Sequence, residues 1–148
     1  MADNVTINIT EVIDDVSISV SQIGEQGVPG PIGPAGAAGN TVTITTSENI
    51  TLGDVVNSDG TKADSAIVGK REWIVGIASE TSLSGFPCDV VVIGDATNVS
   101  WTWVAGNVIY LNGTSLSTTP PSSGFIKRIG TASSGTVIEV NIGTSILI

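Results

Sequence analysis

The sequence predicts an all-β protein built as an elongated homotrimer, with an N-terminal β anchor, a short collagen-like triple-helical stalk and a C-terminal β-barrel or β-sandwich head. Three observations predict it. Glycine recurs at every third position from Gly24 to Gly39. Short runs that alternate apolar and hydroxyl side chains lie on both sides of that stretch. Val, Ile, Thr, Ser and Gly are abundant while Lys, Arg, Glu and Leu are scarce, a balance that favours strands and turns over helices.

The periodic stretch divides the chain into 1–23 (anchor), 24–39 (stalk) and 40–148 (trimerising head). Gly24, Gly27, Gly30, Gly33, Gly36 and Gly39 enclose five complete triplets, and Pro29, Pro31 and Pro34 fill non-glycine positions. In a collagen-type helix three polyproline-II-like chains wind together and only glycine fits at the axis, so the repeat requires three chains and gives a rod of roughly 45–50 Å. A flexible Gly/Pro linker is the competing reading. So short a triple helix does not supply the energy of assembly, which is assigned to the flanking β segments.

Residues 5–12 (VTINITEV) and 16–23 (VSISVSQI) match class for class at an offset of 11. Val5, Ile7 and Ile9, then Val16, Ile18 and Val20, alternate with polar side chains, which is the pattern of a half-buried strand. Asp14 and Asp15 supply the turn between them. A lone hairpin is marginal in water, so these strands are expected to be completed by trimer mates or by strand addition to another protein.

Beyond Gly39 the expected strands are Thr41–Thr46 with Val42 and Ile44 on one face, Val55–Val56, and Trp73–Ala78 with Gly76 at a close approach. Phe86–Ile93 reads as a strand buried on both faces, and Val99–Trp103 as a strand with Val99, Trp101 and Trp103 on one side. Val108–Leu111 ends at the hairpin signal Asn112-Gly113. Pro120 and Pro121 break the pattern before Phe125–Ile129 and Val137–Ile142. Seven to nine short strands indicate a barrel or sandwich. Trp73, Trp101, Trp103, Tyr110, Phe125, Ile146 and Ile148 are the expected head core or trimer interface, with the apolar end Ile146-Leu147-Ile148 buried between protomers.

Composition excludes several functions. Five basic against fourteen acidic residues give a net charge of −9, so no basic stripe exists for nucleic acid. No run of 18 apolar residues spans a membrane, and the first residues lack the pattern of a signal peptide, so synthesis in the cytoplasm is expected and the five N-x-[ST] matches at Asn4, Asn8, Asn49, Asn98 and Asn112 are discounted. There is no histidine, and Cys88, alone of its kind beside Val90-Val91-Val92-Ile93, reads as a small buried hydrophobe. No catalytic residues, metal ligands or cofactor are assigned, and an enzyme is not expected. Asp54, Asp59 and Asp64 lack the order of a calcium loop. Trp101 and Trp103 are the candidate ligand surface, because tryptophan faces stack on sugar rings.

Taken together, the VTINITEV-type anchor, the Gly24–Gly39 repeat and the segment from Trp101 to Gly124 (W-x-W-x-x-G-x-x-I-Y-L-N-G-x-x-L-S-x-T-P-P-x-x-G) resemble bacteriophage fibre proteins. The resemblance implies a trimeric virion protein on the capsid exterior, with residues 1–23 docked on a capsid or other virion protein and the head pointing outward. The chain is short for a tail fibre and has no long β-helical shaft, which favours a head fibre or capsid decoration. A host- or glycan-binding adhesin, on a phage tail or as a bacterial surface or spore-coat protein with a collagen-like stalk, is the alternative.

Overall fold

The computed structural model describes residues 40–148. The anchor residues Val5, Ile7, Ile9, Val16, Ile18 and Val20 and the stalk glycines Gly24, Gly27, Gly30, Gly33, Gly36 and Gly39 lie outside the described residues.

Residues 40–148 are all-β, with ten strands in two antiparallel sheets and a single 3-10 turn at Val68–Lys70 among the described residues. The first sheet holds β1 (Thr41–Thr45), β2 (Val55–Asn57), β3 (Ile74–Ala78) and β4 (Pro87–Val91) in the order β1-β4-β3-β2. The second holds β5 (Ile93–Thr97), β6 (Val108–Asn112), β7 (Ser115–Ser117), β8 (Phe125–Ser134) and β9 (Val137–Asn141) in the order β5-β9-β8-β6-β7, with β10 (Ser145–Leu147) also paired to β8. Between the sheets lies one core to which Val55, Ile77 and Val91 contribute from the first and Ile109, Leu111, Phe125, Ile129, Ile138 and Val140 from the second. The two facing sheets make a sandwich.

Strand neighbours point to opposite faces, and the first sheet uses both. Val55, Ile77 and Val91 face the main core, whereas Val56, Ala78, Cys88 and Val90 form a second apolar cluster with Ile50. Paired backbone bonds between Ile50 and Ser82, 2.8 and 2.9 Å, hold the loops that cover this outer cluster. Val42 and Ile44 share a face as expected from their spacing, opposite Val90 and Cys88, but Val42 stays 42% exposed because β1 is an edge strand.

Two expectations for the strands are corrected. Phe86–Ile93 is not one strand buried on both faces: β4 and β5 belong to different sheets with Val92 as the pivot, and Phe86 and Ile93 are exposed. Val99–Trp103 is not a strand. The Asn98 side chain accepts from the Ser100 N–H (2.9 Å) and its carbonyl accepts from the Trp101 N–H (3.1 Å), so a turn outcompetes a ladder and leaves Val99 85% exposed. The expected hairpin at Asn112-Gly113 is present between β6 and β7; because Asn112 pairs with Ser115, its two loop residues are Gly113 and Thr114. Gly113 takes φ 60° and, among the described residues, no non-glycine residue has positive φ, which matches a turn with glycine at the first central position.

Bulges set which side chains enter the core. Ile109 pairs with Gly130 and Tyr110 with Arg128, so Ile129 is the extra residue on β8. The parity of β8 therefore changes there: Phe125, Lys127 and Ile129 are buried before the bulge and Gly130 and Ala132 after it. Val75 plays the same part on β3, between the pairs Val56/Gly76 and Asn57/Ile74, and lets both Ile74 and Ile77 join the main core. At Gly76 a Cβ would collide with the Val91 carbonyl, which is the close approach expected at that glycine.

Candidate functional site

Of the aromatic residues singled out, Trp101 and Trp103 come together. Their ring centroids are 6.1 Å apart with planes inclined at 52°, and both pack by one side on the main core. The turn at Asn98 lifts this segment out of the sheet, and the Trp103 N–H then donates to the Gly135 carbonyl at 2.9 Å. Trp101 rests on the turn after Ile50: a Cβ on Gly53 would lie 3.0 Å from its Cζ2. The Asn98 amide fixes the same turn by donating to the Leu52 carbonyl at 3.1 Å.

The result is an open groove of about 260 Å³ lined by Leu52, Gly53, Asp54, Trp101, Trp103 and the hairpin residues Thr114 to Leu116. The Asp54 carboxylate is engaged, accepting from the Thr51 N–H at 2.8 Å and pairing with Lys62 at 2.8 Å. It is therefore a turn anchor held beside a cation, and no second carboxylate lines the groove to complete an acid–base pair. The chemistry on offer is contact with indole surface together with hydrogen bonding from the hydroxyls of Thr114 and Ser115.

The other candidates lie elsewhere. Phe125 is buried in the core at 1% exposure, and Tyr110 is half-buried on the opposite side of β6 from Ile109 and Leu111. Trp73 does not line the groove and is 46% exposed, with the Lys70 ammonium 5.6 Å from its ring centroid. Within one chain, Ile146 and Ile148 are exposed at 58% and 54%.

The remaining acidic residues organise turns. Asp59 accepts from the Thr61 N–H (3.1 Å) and hydroxyl (2.6 Å) and pairs with Lys70 at 2.7 Å, while Asp64 accepts from the Ala66 N–H at 2.8 Å. Desolvation pushes the Asp59 carboxyl up, but the Lys70 ammonium and the two Thr61 donors outweigh it and hold the group below the usual carboxylate range. Cys88 is fully buried, as its apolar neighbours suggested. Burial, then the carboxylates of Glu80, Asp89 and Asp54, push its thiol up, away from the thiolate a nucleophile needs.

No protein-family model, curated protein or solved structure matches the chain. The groove is thus described by its own residues. Asp54 was weighed as a calcium-loop residue, and Gly53 and the Thr114 to Leu116 hairpin were not expected at the tryptophans, because only the fold carries them there. The N-G-T-S turn signal was legible, but not its proximity to Trp101 and Trp103.

Proposed function

We propose that the chain is a structural virion component, a trimeric fibre or decoration protein that attaches to a phage capsid through residues 1–23 and projects its head outward. The observation that carries this reading is the Gly24–Gly39 repeat, set between an alternating 11-residue repeat and an all-β sandwich. Period-three glycine requires three chains, and the anchor is too short to fold without a partner surface. The head supports the same reading. It is a compact sandwich whose groove holds no acid–base pair, as suits a module that displays surface. The test is binding to particles: virions or capsids lacking this protein should take up the full-length chain and not one lacking residues 1–23. Equal uptake of both would sink the assignment of the anchor.

A second reading is supported by the Trp101–Trp103 groove, in which indole surface lies beside the Thr114 and Ser115 hydroxyls. On this reading the head also adheres to a host-surface glycan, the pyranose ring packing on an indole face. Full-length protein should retain discrete members of a broad glycan array, and the double substitution Trp101→Ala, Trp103→Ala should abolish that retention. No retention by the native chain on the array or on host cells counts against adhesion.

A further inference from the structure

We infer that β10, together with the segment 65–73 beside it, is the surface through which the heads of this protein contact one another, so that a second copy of the chain covers it. The inference rests on the three-chain reading of the glycine repeat.

The first observation is apolar exposure on an open edge. Ile146, Leu147 and Ile148 are 58%, 55% and 54% exposed. Successive strand residues point to opposite faces, so β10 is apolar on both. Among the described residues β10 pairs with β8 alone, which leaves the backbone donors and acceptors of its other edge without strand partners. A hydrophobic edge strand in water is a template for pairing with another chain.

The second observation is what surrounds it. The Ser145 hydroxyl donates to the Arg71 carbonyl at 3.3 Å, the Phe125 N–H to the Ser65 carbonyl at 3.1 Å, and the Ile148 N–H to the Gly124 carbonyl at 3.2 Å. Segment 65–73 therefore touches β10 at Arg71 and β8 at Ser65, and the same segment carries two exposed apolar side chains, Ile67 at 47% and Trp73 at 46%.

The third observation is charge. The chain has five basic residues, and four of them, Lys70, Arg71, Lys127 and Arg128, sit on this segment or on the part of β8 next to β10. The nearby acids are Asp59, Asp64 and Glu72: Asp59 pairs with Lys70 at 2.7 Å and Glu72 lies 3.5 Å from both Arg71 and Lys127, so four cations stand against three carboxylates here. Copies of a chain of net charge −9 repel one another. This is the face on which that repulsion is locally relieved.

Chain geometry selects a second copy as the occupant. The head begins at Asn40, whose carbonyl accepts from the Val92 N–H at 2.9 Å, and the next residue, Ile93, pairs with Asn141 four residues before β10. Chains joined by the glycine repeat bring their copies of Asn40 together. The end of the sandwich where β9 gives way to β10 then comes together as well.

The test is the solution mass of the full-length chain by sedimentation equilibrium. Native protein is expected at three times 15.0 kDa. Ile146→Ser with Ile148→Ser should run at 15.0 kDa at the same concentration with unchanged far-UV circular dichroism. Val99→Ser with Val104→Ser, at positions 85% and 67% exposed away from β10, should remain trimeric. A native chain that is monomeric overturns the three-chain reading and this inference with it. A trimeric β10 variant overturns the inference alone. Should the β10 variant not fold, amide exchange of the native chain decides: protection of amides 146–148 rising with protein concentration supports the contact, and protection independent of concentration overturns it.

Discussion

The ammonium of Lys127, a residue only 4% exposed, donates to the hydroxyl of Ser145 at 3.0 Å and so pins β10 to β8. It also reaches Glu72 at 3.5 Å, across 55 residues of sequence. A lysine this deeply buried is rare without a partner. Here the partners join β8, β10 and the segment after the 3-10 turn into one unit.

Replacing Lys127 by Met keeps most of the volume and removes these bonds. Hydrogen bonds to charged groups contribute about 1.5–3 kcal/mol, and Glu72 is exposed, so a loss of about 1–2 kcal/mol is expected. Urea denaturation of the full chain measures it. An unchanged midpoint with unchanged amide exchange in β10 would show that this pin is dispensable.

Gly76→Ala places a methyl group against the Val91 carbonyl in the centre of the first sheet. Backbone does not rotate away as a side chain does, so the cost should reach the upper end of overpacking, about 3 kcal/mol. Thermal denaturation of this variant should show a markedly lowered Tm. Gly69→Ala, where nothing lies within 4 Å, serves as the control and should be near neutral.

Cys88 should resist thiol reagents in the native protein and react at once in denaturant. Its thiol is raised by burial and by three nearby carboxylates, so between the unfolded and folded values the unfolded state binds fewer protons. Stability from this group is present below the ordinary thiol range and falls as pH rises through it. Native reactivity equal to that of the denatured chain would contradict the buried placement.

Asp59 has the opposite sign. Its carboxyl lies below the ordinary value, so its contribution is present above that value and is lost as pH falls through the folded one. The pair with Lys70 is about one-third exposed on each side, which limits it to roughly 0.5–1 kcal/mol. Asp59→Asn should remove this amount at neutral pH and flatten the acid limb of the stability profile. An acid limb identical to that of the native chain would assign it to other carboxylates.

The all-β class was legible because period-two patterning is a property of neighbouring residues, as in β1 and β9. Misreadings arose where a polar side chain or a single residue redirected the backbone. Asn98 turned an alternating pattern into an Asx-type turn, and Val92 split one apolar run between two sheets. The bulge at Ile129 was not visible, since an extra residue on one strand is defined by its partner. Trp101 and Trp103 were legible as a pair because only Thr102 separates them in sequence. The groove's other wall and the gathering of Lys70, Arg71, Lys127 and Arg128 depend on tertiary contacts between segments far apart in the chain.

The central claim is that three copies of this chain make one fibre, and native mass spectrometry of the purified full-length protein tests it most directly. The account predicts one dominant species at three times the 15.0 kDa chain mass, persisting when Gly30→Ala or Gly33→Ala disturbs the repeat, because the heads hold the assembly. A single species at 15.0 kDa across micromolar concentrations would contradict it.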